Sequence, residues 1–439
     1  MDSRTGMPRV GMVGGGQLAR MTHQSAIALG QSLRVLSIGA DESAALVAPD
    51  VEIGSHLDLD ALTKFAENCD VVTFDHEHVP TEHIRALVAA GHAVFPGADA
   101  LQYAQDKSLM RTRLRDAGLP VPTFAVLEPG ADLVAEVASF GATHGWPVVL
   151  KTARGGYDGR GVWVLDDADA AAPLQAELSG ELVLESFVRM KRELAAVVAR
   201  SPFGQAAAWP VVETVQQDGI CVEVIAPAPG LDPDVAAAAS RMALRIAGEL
   251  GVVGVLAVEL FEVDADDAVP DGLLINELAM RPHNSGHWSM DGSVTSQFEQ
   301  HLRAVLDYPL GRTDAVAPFT VMGNVLGGPD TGPGSEIGMD ERVHHLAARF
   351  PQVKIHLYGK AFRPGRKLGH VNVLGSDLGE LRRIAALAAA WLGDGLWTDG
   401  YEIHTGATSA RSVPDARPAR SPESSAPQQS TPERTGALS

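Results

Sequence analysis

VVLKTARGGYDGRGVWVL, residues 148–165, fixes the reading of the whole chain. An apolar strand ends in Lys151, and a second apolar strand, Val162 to Leu165, follows ten residues on. The turn between them holds four glycines, Gly155, Gly156, Gly159 and Gly161. A backbone without Cβ atoms turns freely and presents its amides to an anion, so a flap closing over phosphates is one reading. An ordinary mobile hairpin is the other. Tyr157 and Asp158 at the tip favour the flap, since a plain turn needs no aromatic beside a carboxylate. No Gly-Lys-Ser/Thr opens a helix here, so this is not a Walker loop.

Toward the N-terminus, residues 8–100 alternate strands (9–13, 33–38, 70–74, 92–95) with helices (17–29, 80–90), which predicts a parallel sheet. The first turn, Gly14-Gly15-Gly16, resembles a dinucleotide fingerprint. The acidic residue that should close the second strand is absent, because Asp41 comes after Gly39-Ala40 and past the strand end. That counts against a nicotinamide site and an oxidoreductase. A helix over 106–117 and the extended Leu119-Pro120-Val121-Pro122 lead into a strand-dominated α+β region, with helices near 131–140, 168–178 and 233–250. Strands near 318–326, 353–358 and 370–374 and a helix over 377–391 form a smaller third unit. From residue 409 the chain is rich in Ser, Pro and Arg and poor in apolar side chains, which predicts disorder.

Three further features carry chemistry. Glu259 and Glu277 are lone carboxylates in apolar strands, and each should have a cationic partner when buried. Two of them on neighbouring antiparallel strands, with Asn276 adjacent, suit Mg²⁺ bound through carboxylates and nucleotide phosphates. Arg281-Pro282-His283-Asn284-Ser285-Gly286-His287-Trp288 follows the second of these strands with no hydrophobic period, as functional loops do. Pro282 and Gly286 argue against a helix that would align the two histidines for zinc. Finally, Lys360, Arg363, Arg366 and Lys367 put four cations in eight residues, either a solvated run or a pocket for a phosphate monoester.

The chain has 439 residues, 45% of them hydrophobic, and a formal net charge of −20. It is long enough for two or three domains, and its charge argues against general nucleic-acid binding. Without an apolar signal core or a span of about 18 apolar residues, it reads as cytoplasmic and not membrane-bound. Cys69 and Cys221 make neither a disulfide framework nor a metal cluster and read as buried thiols.

Taken together, Lys151, GGYDGRG, Glu185, Glu259, Asn276-Glu277, RPHNSGHW and RPGRKLGH resemble the ATP-grasp enzymes, and among them the 5-(carboxyamino)imidazole ribonucleotide synthases of purine biosynthesis. The resemblance runs from about residue 8 to about 405. It implies an α/β and α+β chain: a Rossmann-like parallel-sheet domain (1–105), an ATP-grasp domain (106–308, with a lid over about 123–190), a small β-rich C-terminal domain (309–405) and a disordered tail (406–439). It implies carboxylation of 5-aminoimidazole ribonucleotide by bicarbonate and ATP, through carboxyphosphate, with Mg²⁺, in a homodimer.

Residue by residue, Lys107 and Lys151 match the cations on the ATP phosphates, and Gly156, Tyr157, Asp158, Gly159, Arg160, Gly161 and Val162 match the lid. Glu185, Ser186, Phe187 and Val188 match the segment holding adenine, and Glu193 the carboxylate on the ribose. Gln216 stands where many relatives have a histidine near ATP. Asn276 and Glu277 lie on the ATP side, and Glu259 and Glu277 match the metal ligands. Tyr157, Asp158, Arg281, His283, Asn284 and Ser285 match the carboxylation side. Lys360, Arg366 and Lys367 match the clamp on the ribonucleotide phosphate. Gln17, Leu18 and Glu77 are expected to shape the same pocket, which gives the N-terminal glycine loop the acceptor substrate to face. Met280 replaces a proline usual before the Arg-Pro-His-Asn run. The sister ATP-grasp enzyme that formylates glycinamide ribonucleotide with formate is the alternative, and a binding protein without activity is disfavoured by Lys151, Glu259 and Glu277.

Overall fold

A computed structural model describes residues 1–156, 160–332 and 334–402. Tyr157, Asp158 and Gly159 of the expected lid, and the tail from 406, lie outside the described residues. Met1–Tyr401 forms one compact unit built around three sheets.

The first sheet is parallel. Its strands lie in the order Asp50–Ile53, Ser32–Ser37, Arg9–Val13, Val71–Phe74. The expected strand 92–95 shrinks to a single parallel bridge, Val72 to Val94. Val10, Met12, Val13, Val35 and Val72 are almost wholly buried, as strands covered on both faces require.

The second sheet is a four-stranded antiparallel layer in the order Phe124–Leu127, Leu182–Ser186, Val148–Thr152, Val162–Leu165. The quoted stretch therefore pairs with itself, Lys151 opposite Val162 and Val148 opposite Leu165. Helix Leu133–His144 covers one face through Leu133, Val137 and Phe140.

The third sheet holds the metal-type carboxylates at one end and the cationic run at the other. Its order is Leu273–Ala279, Gly254–Glu262, Arg192–Arg200, Val212–Gln217, Ile220–Ala226, Phe319–Leu326, Lys367–Gly375, Lys354–Leu357, with Ala206–Ala208 paired beside Arg192–Arg200. The strands of the smaller third unit continue the central sheet, joined where Ala226 faces Thr320. Helix Leu378–Asp394 packs on this extension through Leu381, Ile384, Ala388 and Trp391. Among the described residues no helix is long and apolar enough to cross a membrane.

Candidate active site

All three sheets contribute to one cleft of about 1920 Å³. At its floor, Lys151, next to last in its strand, donates to Glu185 at 2.8 Å and to Asn276 Oδ1 at 3.3 Å. Glu185 also accepts from Arg111 Nε at 2.6 Å, and all three side chains are nearly inaccessible. Burial alone would raise the Glu185 carboxyl. Arg111 and Lys151 outweigh it and hold the group down at about 2. One carboxylate between two cations leaves a net positive charge, and Lys151 is the cation that faces the cleft. Such a charge suits an anion more than it suits a closed ion pair.

The two carboxylates stand opposite each other. Glu259 pairs with Glu277 across adjacent antiparallel strands, with a bulge just after Glu259. Like charges in facing positions repel. Glu277 is matched by Lys107 at 3.2 Å. Glu259 is not matched in the way expected: among the described residues its only ion-pair contact is His283 Nε2 at 3.4 Å. That imidazole is pulled down to about 3 by burial, then by Arg281 and Lys367, so it is neutral. Burial, then the charges of Glu277 and Glu193, push Glu259 up to about 8. A pair of crowded carboxylates short of positive charge is a site that a divalent cation fits, and no cluster of three or more metal-type side chains occurs among the described residues. Two protein carboxylates with phosphates completing the shell are how Mg²⁺ is commonly held.

Beyond Glu277 the loop turns through a single 3-10 turn, Asn284–Gly286. Arg281 pairs with Glu77 at 2.8 Å, which ties the loop to the end of the parallel sheet. His283 Nδ1 meets Ser285 Oγ at 2.9 Å. Asn284 and Asn324 exchange reciprocal amide hydrogen bonds at 3.0 and 2.7 Å. Met280 is fully buried in the main core.

The glycine loop has its own anion. The Asp75 carboxylate, just past the strand Val71–Phe74, accepts from Gly16 N at 2.7 Å and Ala19 N at 2.8 Å. A Cβ on Gly16 would lie 2.1 Å from Asp75 Oδ2. The first turn of helix Gln17–Ala28 is therefore filled from inside, where a dinucleotide fold would seat a pyrophosphate. Beside it, Gln17 accepts from Lys360 Nζ. Burial, then Arg366, pull the Lys360 ammonium down to about 8, with Lys367 and Arg363 adding to the effect. Cations crowded to that degree favour an anionic ligand.

The segment 112–298 matches the ATP-grasp domain, 7–105 the ribonucleotide synthetase preATP-grasp domain, and 320–384 the phosphoribosylaminoimidazole carboxylase C-terminal domain. The N5-carboxyaminoimidazole ribonucleotide synthase of Mycobacterium tuberculosis is 58% identical over 420 residues, covering 95% of each chain. The chain belongs to the N5-carboxyaminoimidazole ribonucleotide synthase family. The synthase of Corynebacterium ammoniagenes is 48% identical over 404 residues, covering 90% of this chain and 94% of that one. Among solved structures, the Aspergillus clavatus N5-carboxyaminoimidazole synthase in complex with ADP and 5-aminoimidazole ribonucleotide is 30% identical, with a TM-score of 0.78 over 89% of this chain and 99% of that one.

Within this synthase-family cleft the structure gathers nearly every residue singled out in the sequence. Lys107, Lys151, Gly156, Arg160 and Val162 line it, as do Glu185 to Val188, Glu193 and Gln216. Asn276, Glu277 and Glu259 line the floor, followed by Arg281, His283, Asn284 and Ser285. Gln17, Leu18 and Glu77, with Lys360, Arg366 and Lys367, close the far side. Gln216 stands close to Glu193, whose carboxyl burial pushes up and Gln216 partly offsets. Gly161 is the exception: it does not line the cleft. Its carbonyl accepts from Thr152 N at 3.0 Å, and its φ of +71° is one that glycine adopts freely. The sequence reading missed Arg111, Asp75 and Asn324. A buried arginine within helix Lys107–Asp116 and an aspartate ending an apolar strand were the available signals.

Proposed function

We propose that the chain carboxylates 5-aminoimidazole ribonucleotide at its exocyclic amine, using bicarbonate and ATP and releasing ADP and phosphate. What carries the reading is one cleft that joins an ATP-grasp floor to a cluster of four cations, in a chain of this family. The floor suits a triphosphate: Lys107 and Lys151 supply charge, and Arg111 neutralises Glu185 so that Lys151 can serve the phosphates. Backbone groups of Glu185 to Val188 would hold adenine, and Glu193 the ribose hydroxyls. Glu259 and Glu277 would hold Mg²⁺, which when bound neutralises phosphate charge as the γ-phosphoryl group leaves ADP.

Bicarbonate oxygen attacks the γ-phosphorus, the bond to the β-phosphate oxygen breaks, and carboxyphosphate forms. Its C–O bond then breaks to give CO₂ and phosphate. The ribonucleotide amine attacks the carbon and loses a proton. Carboxyphosphate is short-lived in water and free CO₂ would diffuse away, so both must form beside the amine in a closed site. His283, neutral and hydrogen-bonded to Ser285, with Arg281 and Asn284, faces the region between floor and cations. Lys360, Arg366 and Lys367 would grip the ribonucleotide phosphate, Gln17, Leu18 and Glu77 would help shape its pocket, and Tyr157 and Asp158 would serve the carboxylation step. The reading includes domain divisions at 105/106 and 308/309, a homodimer and a cytoplasmic setting.

The test is ADP release measured with and without each co-substrate. Release that requires both bicarbonate and aminoimidazole ribonucleotide is the expected result. Release driven instead by formate and glycinamide ribonucleotide would overturn the reading in favour of the sister enzyme.

A further inference from the structure

Behind the His283–His287 loop stands the first residue of helix Gln297–Val305. Gln297 is fully buried, and its amide makes three hydrogen bonds to that loop. Oε1 accepts from His283 N at 2.8 Å, and Nε2 donates to His283 O at 2.8 Å and to His287 Nδ1 at 2.8 Å. The backbone N–H of Gln297 donates to Ser289 Oγ at 2.9 Å, and that hydroxyl donates to Gly286 O at 2.5 Å. The packing has no slack: a Cβ on Gly286 would lie 2.4 Å from Gln297 Oε1.

The donor and acceptor roles are fixed by elimination. A backbone N–H only donates and a backbone carbonyl only accepts, so His283 itself sets which end of the amide is oxygen. Both hydrogens of Nε2 are then committed, one to the carbonyl and one to His287. His287 Nδ1 must accept, and its proton sits on Nε2. One side chain therefore sets the position of His283 through both of its backbone groups and sets the tautomer of His287, a second histidine of the same loop that lines the cleft.

We propose that Gln297 is a positioning residue for the ribonucleotide half of the reaction, holding His283, Asn284 and Ser285 at the distance from the cleft that carboxylation requires. The inference rests on the function proposed above. It makes a prediction that a purely structural role does not, because the side-chain hydrogen bonds of Gln297 among the described residues all go to the loop on the ribonucleotide side.

Gln297→Glu keeps the shape but turns both donors into acceptors that face a carbonyl and an unprotonated nitrogen. Gln297→Met keeps the bulk and removes all three bonds. For either variant we expect the KM for aminoimidazole ribonucleotide to rise about tenfold to a hundredfold, as small misplacements near reacting groups do. The KM for ATP should stay within about twofold, since no ground-state contact to ATP is lost. More ADP should be released per ribonucleotide carboxylated. Unchanged constants for both substrates, or equal rises in both, would overturn the proposal. A second measurement needs no variant: nitrogen NMR of the ¹⁵N-histidine-labelled wild-type enzyme, with His287 assigned, should report its proton on Nε2, and a proton on Nδ1 would overturn it. The wild-type enzyme serves as the control for the underlying function, because failure of its bicarbonate- and ribonucleotide-dependent ADP release would overturn that reading while leaving the tautomer measurement intact.

Discussion

Asp75 is a buried carboxylate and Glu259 a half-buried one, and they meet different neighbours. Burial pushes both upward, but Asp75 gains the amides of Gly16 and Ala19 whereas Glu259 gains the repulsion of Glu277 and Glu193. Asp75→Ala would leave two backbone donors buried at a helix start, at a cost of about 1–3 kcal/mol. We expect a lower Tm for this variant, with sulfate raising that Tm more than it raises the wild type's, because the emptied helix start would take an external anion. An equal sulfate response in both proteins would contradict the account. Glu277→Gln keeps the shape, removes the facing charge and frees Lys107. ATP turnover should be lost while the Tm holds, and normal turnover at limiting Mg²⁺ would count against the carboxylate pair as a metal site. At this scale the cleft was legible in the sequence where chemistry was conspicuous locally: a carboxylate alone in VLAVELF or LLINEL, each of which lines the cleft. Arg111 and Asp75 were not legible, because their partners lie 74 and 56 to 59 residues away and burial is a property of the finished fold.

Helix Gln297–Val305 is the element that ties the parts together. His301 Nδ1 accepts from Val255 N at 3.1 Å, on the strand that carries Glu259, and its Nε2–H donates to Thr73 Oγ1 at 2.8 Å, on the strand that leads to Asp75. Burial pulls this imidazole down to about 4. The unfolded chain would take up the proton near 6.5, so between pH 6.5 and about 4 it binds more protons than the folded protein. Stability contributed by neutral His301 is therefore complete above pH 6.5 and lost as pH falls toward 4, at up to about 1.4 kcal/mol per pH unit. His301→Gln can supply the same acceptor and donor without titrating. Its unfolding free energy, measured by urea melts from pH 7 to 4.5, should fall less steeply than the wild type's. Identical slopes would rule out the histidine as a contributor. Periodicity and glycine stops made most strands and the long helices readable, including Pro233–Glu249 and Leu378–Asp394. The sequence reading passed over Gln297–Val305 and strand Ile220–Ala226. The helix carries polar side chains on its buried face, and the strand follows its partner after a two-residue turn, Asp218-Gly219.

Across the molecule, the sequence pattern gave a Rossmann-like sheet followed by strand-rich units, and it did not give the joining of the last unit to the central sheet. That joining is long-range: Val224 pairs with Met322 and Val321 with Val373. No local pattern encodes which strand edges will meet. Its mechanical result is that the carboxylate floor and the cationic cluster ride on one sheet, and the lid strands form a sheet of their own. The same continuity bears on which pieces of the chain can exist alone. A chain cut after residue 308 would keep strand Ile220–Ala226 but lose its neighbour Phe319–Leu326, leaving ICVEVIA as a bare edge. Such an apolar, β-prone edge recruits other chains. We expect that fragment to collect in the insoluble fraction on expression, and a soluble, monomeric fragment would refute this. Recombination at that seam would produce aggregates before it produced hybrids, so the segments match separate domain families yet are inheritable only together.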